Sequence, residues 1–110
     1  MGYQSEVKQD LRLFERIPNS LELRMINLDT NRVLLATARD ASAQGLGIIS
    51  QEEIRPGDNL GLWLSMPDKK EPLYVLGSVV WAKQQENNEF RGGVALSKPN
   101  LMGMSRIFRV

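Results

Sequence analysis

Two short segments of this 110-residue chain hold the residues best suited to chemistry. The first is Arg12-Leu13-Phe14-Glu15-Arg16. Two guanidinium groups four residues apart reach one region from a helical turn or a compact arm. Each is planar, permanently charged and able to form forked hydrogen bonds. Such a pair suits phosphates, and equally the O6/N7 edge of guanine. Glu15 lies between them and can neutralise one. By itself this spacing is also that of an ordinary solvated face. The second segment is Asp40-Ala41-Ser42-Ala43-Gln44-Gly45. In an extended chain Asp40 and Ser42 share a face. A carboxylate accepts from N1–H and N2–H₂ of guanine, and a hydroxyl donates or accepts beside it. Gly45 permits a left-handed or close backbone geometry. Asp, Ser and Gly in this order also make an ordinary turn, their commonest use.

Composition removes most other chemistry. There is no Cys and no His. Disulfides, thiolate nucleophiles and thiolate metal sites are therefore excluded, along with the commonest general base. Glu52 and Glu53 are adjacent acids without a third ligand and define no metal site. No apolar run is long enough to cross a bilayer, and no signal peptide is visible. Met1-Gly2 is followed by Glu6 where an acylation motif needs Ser or Thr. A cytoplasmic location fits these features. The formal charge of +1 is unevenly spread, with four bases and no acid in residues 91–110. That total disfavours sequence-blind binding to long nucleic acid, which depends on many phosphate contacts.

The elements that must position the two segments are short strands. Leu21, Leu23 and Met25 alternate with Glu22 and Arg24, the period of a half-buried strand. Further strands are expected at Val33–Ala38, Leu46–Ser50, Leu60–Met66, Tyr74–Lys83 and Phe90–Ser97. Turns separate them, most strongly at Arg55-Pro56-Gly57-Asp58. Six strands spaced by turns point to an antiparallel sandwich or barrel, all-β in class. Asn100 can cap a final short helix carrying Leu101, Met104, Ile107 and Phe108 near one face. Residues 1–19 form an arm and residues 20–110 a single domain. Trp63 falls on the polar side of its strand, and Trp81 should share the buried face of Val79. Both are read as structural aromatics. Met102 and Met104 are read as packing, and Lys8 and Lys83 as unspecific sources of positive field.

Together the two segments resemble the ligand motifs of the PilZ domain, the bacterial receptor module for cyclic di-GMP. That family carries RxxxR just before its first strand and [D/N]xSxxG between its second and third. Arg12-x-x-x-Arg16 stands before Ile17-Pro18 and the first strand here, and Asp40-x-Ser42-x-x-Gly45 lies between the second and third. Ile54-Arg55-Pro56-Gly57-Asp58 resembles the turn into the family's fourth strand. Gly77-Ser78-Val79-Val80-Trp81 and Phe90-Arg91-Gly92-Gly93-Val94-Ala95-Leu96 resemble its closing hairpin. The resemblance runs from Arg12 to Val110.

It implies a six-stranded antiparallel barrel with an N-terminal arm and a short C-terminal helix. It also implies that Arg12 and Arg16 contact the phosphates and guanine edges of cyclic di-GMP. Asp40 and Ser42 would bond guanine or the adjoining backbone, and Gly45 would shape the turn. The expected function is a non-enzymatic second-messenger receptor with no cofactor beyond its ligand. It would signal by ordering the arm toward a protein partner or a fused output domain, in regulation of motility or biofilm formation. The alternative is an assembly module of the same family that binds no nucleotide.

Overall fold

The computed structural model describes residues 15–98 and 100–108. Six strands form in chain order: β1 (Glu15–Asn27), β2 (Val33–Ala41), β3 (Gly45–Ser50), β4 (Asn59–Leu64), β5 (Leu73–Gln84) and β6 (Phe90–Leu96). Helix α1 (Leu101–Ser105) follows and tightens into a 3₁₀ turn over Arg106–Phe108. The strands close into a barrel in the order β1-β2-β3-β6-β5-β4, each neighbouring pair antiparallel. Closure leaves no sheet edge open, which a domain this small otherwise has to protect. Among the described residues no helix is long and apolar enough to cross a membrane.

The alternation in the sequence sets the inside and the outside. Leu21, Leu23, Met25, Leu60, Leu62 and Leu64 point inward and are buried. Their neighbours Glu22 and Arg24 are exposed. Asn27 and Gly57 shape two of the turns. The Asn27 side-chain oxygen accepts from the N–H groups of Asp29 and Thr30. Gly57 takes φ 96°, a region open to glycine, and the Asp58 carboxylate accepts from Arg55 N–H at 2.9 Å.

Two strands are longer than their alternation implies. β1 starts at Glu15 rather than Leu21. Arg16 pairs with Asp40, and the next pair is Leu21 with Ala38. Residues 17–20 therefore stand against Arg39 alone. Pro18 has no N–H to give to a ladder, so pairing breaks there and resumes on its far side. β2 in turn runs past Ala38 to Ala41, through a register shift against β3.

The C-terminal helix belongs to the core. Met104 and Ile107 are both buried in the same apolar cluster as the strands. Asn100 caps the helix as its sequence suggests, its side-chain oxygen accepting from Gly103 N–H at 2.8 Å. A forked ion pair pins the far end. Arg106 Nε and Nη2 each donate to the Asp68 carboxylate at 3.2 Å, and Nη2 donates to Glu71 O at 2.8 Å. The Arg106 bond first, and the Lys70 N–H second, hold the Asp68 carboxyl below the usual carboxylate range. Because folding lowers this value, the pair stabilises the fold above the ordinary pKa of about 4 and is lost as pH falls through the lowered one. Asp68→Asn should therefore lower Tm at pH 7, and the gap from wild type should begin to narrow near pH 4 and close as pH falls through the lowered value. A gap that persisted unchanged into acid would assign the effect to something other than this carboxylate.

Candidate functional site

Cross-strand pairing places five residues of the sequence in one line. Arg16 of β1 pairs with Asp40 of β2, and Asp40 with Gly47 of β3. Gly47 pairs with Gly93 of β6, and Gly93 with Trp81 of β5. The row thus crosses five strands on the outside of the barrel. A cation and a carboxylate stand at one end and an indole at the other. Its centre carries no side chains.

The two glycines are required by what lies over them. A Cβ on Gly47 would stand 2.9 Å from Asp40 Oδ2. A Cβ on Gly93 would collide with Trp81 Nε1 and stand 2.8 Å from its Cδ1. The carboxylate and the indole therefore rest on bare backbone, a close approach that any side chain would prevent.

Each of the three side chains in the row adjoins a break in the ladder. The breaks fall between Arg16 and Leu21, between Ala38 and Asp40, and between Val79 and Trp81. Strict alternation from Ala38 and Val79 would send Asp40 and Trp81 into the core. The extra residue at each break turns them outward instead. This corrects the expectation that Trp81 shares the face of Val79: Val79 is buried, whereas Trp81 is 46% exposed.

Two clefts meet along this row, and Asp40 lines both. The larger, about 820 Å³, is strongly charged. Arg16, Arg39, Lys83 and Arg91 face it with Asp40, Glu86 and Glu89. The smaller, about 620 Å³, is mainly apolar, with Leu46, Val80, Trp81 and Val94 around the glycine floor. Both volumes lie in the range of small-molecule sites. A polyanion with planar groups would find cations in one and a flat aromatic surface in the other.

Among the residues expected from sequence, Arg16 and Asp40 come together as cross-strand partners. Arg12 lies outside the described residues. Ser42 follows the end of β2, so the alternation that would place it beside Asp40 no longer applies. It is buried, and its Oγ accepts from the N–H groups of Gln44 and Gly45, both at 3.1 Å. Its own N–H donates to Gly45 O at 3.0 Å. Gly45 opens β3 opposite Ala95 without a positive φ. The turn in its turn carries other elements: Gln44 O accepts from Leu96 N–H at 2.8 Å, and Ala43 O from Asn100 N–H at 2.9 Å. Arg39, Arg91 and Trp81 were not singled out as site residues from sequence. The one available signal was Gly92-Gly93 inside a strand, which marks a close backbone approach. Trp63 lies elsewhere, half-buried against Tyr74 with ring centroids 4.5 Å apart.

A family model described as the PilZ domain matches residues 10–108. No curated protein matches the chain by sequence. Solved structures share its fold at low identity. One is the "PilZ domain with c-di-GMP of YcgR from Escherichia coli", 16% identical with a TM-score of 0.65, covering 86% of each chain. Another is the PilZ domain of CeSA from a cellulose-synthesizing bacterium, 16% identical with a TM-score of 0.59, covering 86% of this chain and 92% of that one. A third is the Bacillus subtilis inhibitor of motility MotI/DgrA, 11% identical with a TM-score of 0.64. There the match covers 86% of this chain but only 46% of the other.

The seat of the indole can be tested directly. In a Trp63→Phe background, where Trp81 is the sole indole, Gly93→Ala should push the ring off the backbone. We expect a red-shifted emission and a loss of about 1–3 kcal/mol in denaturant titration. Unchanged emission and stability would mean that the ring does not rest there.

Proposed function

Because the chain belongs to the PilZ domain family, we propose that it is a receptor for cyclic di-GMP rather than an enzyme, with the ligand lying along the Arg16–Trp81 row. The observation that carries this reading is the pairing of Arg16 with Asp40 at the junction of the two clefts. A cyclic dinucleotide of guanosine presents two phosphates, two planar bases and polar base edges. Arg16, joined by Arg12, forks onto the phosphates or a guanine edge, with Arg39 and Arg91 adding positive field. The Asp40 carboxylate accepts from N1–H and N2–H₂ of guanine. Trp81 offers its face to a base above the Gly93 backbone. Ser42 and Gly45 serve by holding the turn that follows Asp40. The E. coli YcgR domain, whose structure contains c-di-GMP, supports the ligand class by its similar fold.

Signalling follows from fixing the segment that carries Arg12 against Arg16, which already stands in β1. Ligand would hold Arg12 and Arg16 in one geometry and re-present the arm to a protein partner or a fused output domain. This would take place in the cytoplasm, in control of motility or biofilm formation. A second reading is an interaction module that binds no nucleotide. The similar fold of a protein described as an inhibitor of motility favours considering it.

Calorimetry separates the two. Wild type should bind cyclic di-GMP, while GTP and GMP bind far more weakly. Each charge-assisted bond contributes about 1.5–3 kcal/mol, so Arg16→Ala and Asp40→Asn should each weaken binding by about tenfold to a hundredfold. Absence of heat with wild type selects the interaction module. Equal affinity in both variants moves the site elsewhere. Ligand should also protect residues 8–18 from limited proteolysis; identical cleavage with and without it would remove arm ordering as the signal.

A further inference from the structure

The larger cleft holds more positive charge than the Arg16–Asp40 pair brings to it. Its floor is a second row, two residues along β3, β6 and β5 from the first and so about 7 Å away. Thr37 of β2 pairs with Ile49 of β3, Ile49 with Arg91 of β6, and Arg91 with Lys83 of β5. No register shift separates Trp81 from Lys83 or Gly93 from Arg91, so both bases face outward as Trp81 does. Arg39, at the break before Asp40, faces the same cleft.

Lys83 and Arg91 form an unfavourable pair as they stand. Like charges directly opposite each other on neighbouring strands repel. Neither base makes an ion pair among the described residues. Acids do line the cleft, namely Asp40, Glu86 and Glu89. Asp40 stands opposite Arg16, and the Glu89 carboxylate accepts from Gln51 Nε2 at 3.1 Å. Arg16, Arg39, Lys83 and Arg91 outnumber the three acids by one, so a single negative charge balances the cleft. Both Lys83 and Arg91 are exposed, and nothing in the core requires two bases there. A cleft with a surplus of one sign draws the opposite ion.

A phosphodiester carries one negative charge and two free oxygens, which a guanidinium and an ammonium can bind together. Between this pair and Arg16, β3 presents only Gly47 and Ile49 outward, and neither side chain holds an anion. The cleft therefore has two separate cationic ends. We propose that Lys83 and Arg91 form a second anion seat, which takes the second phosphodiester of a cyclic dinucleotide and selects a ligand with two phosphates over a ligand with one. This rests on the cyclic di-GMP reading and extends it. Arg16 and Asp40 take one phosphate and its guanine, and Arg91 does more than add positive field. Pairing thus gives Lys83 a place that its own segment of sequence does not mark.

Calorimetry on the full chain tests this with cyclic di-GMP and with the linear dinucleotide GpG, which has both guanines but one phosphodiester. The double variant Lys83→Gln/Arg91→Gln should bind cyclic di-GMP roughly tenfold or more weakly, and GpG within about threefold of wild type. Arg16→Ala should weaken both ligands. Tm of the double variant should not fall, because two exposed positions lose a repulsion. Equal losses for the two ligands would show a general field rather than a seat and overturn the proposal. Unchanged cyclic di-GMP affinity in the double variant overturns this proposal alone. A wild type that binds neither ligand removes the receptor reading and this proposal with it.

Discussion

A closed barrel of six strands sends every second side chain into a shared core, and this constraint governs everything the molecule can display. The inward residues have no freedom: Leu60, Leu62 and Leu64 sit fully buried because their strand offers them nowhere else. Two adjacent residues can face out only where the ladder is broken. The chain breaks it between Ala38 and Asp40 and again between Val79 and Trp81. Arg39 with Asp40, and Val80 with Trp81, are the adjacent outward pairs that result. The site is thus a consequence of interrupted pairing at one end of an otherwise regular barrel. The opposite end, where β4 pairs with β1 and β5 without a shift, keeps strict alternation and exposes Tyr74 and Leu76.

The turn after Asp40 ties this site to the rest of the fold. Ser42 is spent within the turn, and the turn's carbonyls receive the end of β6 and the first residue of the helix cap. The helix then reaches the core through Met104 and Ile107 and is clamped by Asp68. A displacement of Asp40 therefore has a short hydrogen-bonded path to the C-terminal segment. The Asp-x-Ser-x-x-Gly spacing, proposed as a recognition element, is also a structural joint.

Much of the fold was legible in the sequence because it obeys simple periods. Leu21, Leu23 and Met25 announce an inward strand face, and Asn100 announces a helix start. Arg16 and Asp40 are singled out by their motifs, and pairing brings them together. What escaped was register. Trp81 follows Val79 by two and so belongs to the core by period, yet one extra residue in the strand reverses it. Nothing local to Val79-Val80-Trp81 states this. The cause lies on the partner strand, where Gly93 leaves room for the ring. The start of β1 was missed for a similar reason. The alternation begins only at Leu21, yet pairing re-forms on the near side of Pro18, where Arg16 meets Asp40. The meeting of Lys83 with Arg91 likewise needs two strands in register before it exists at all.

The row from Arg16 to Trp81 also bears on how the barrel comes apart. It spans five of the six strands, and its ends come from residues far apart in the chain. Anything lying along it is in contact with β1, β2, β3, β6 and β5 at once. No one of these can peel away while that contact lasts, so partial opening and release become the same event. An occupied row would act as a girth strap, raising the barrier to unfolding without adding a single residue to the core.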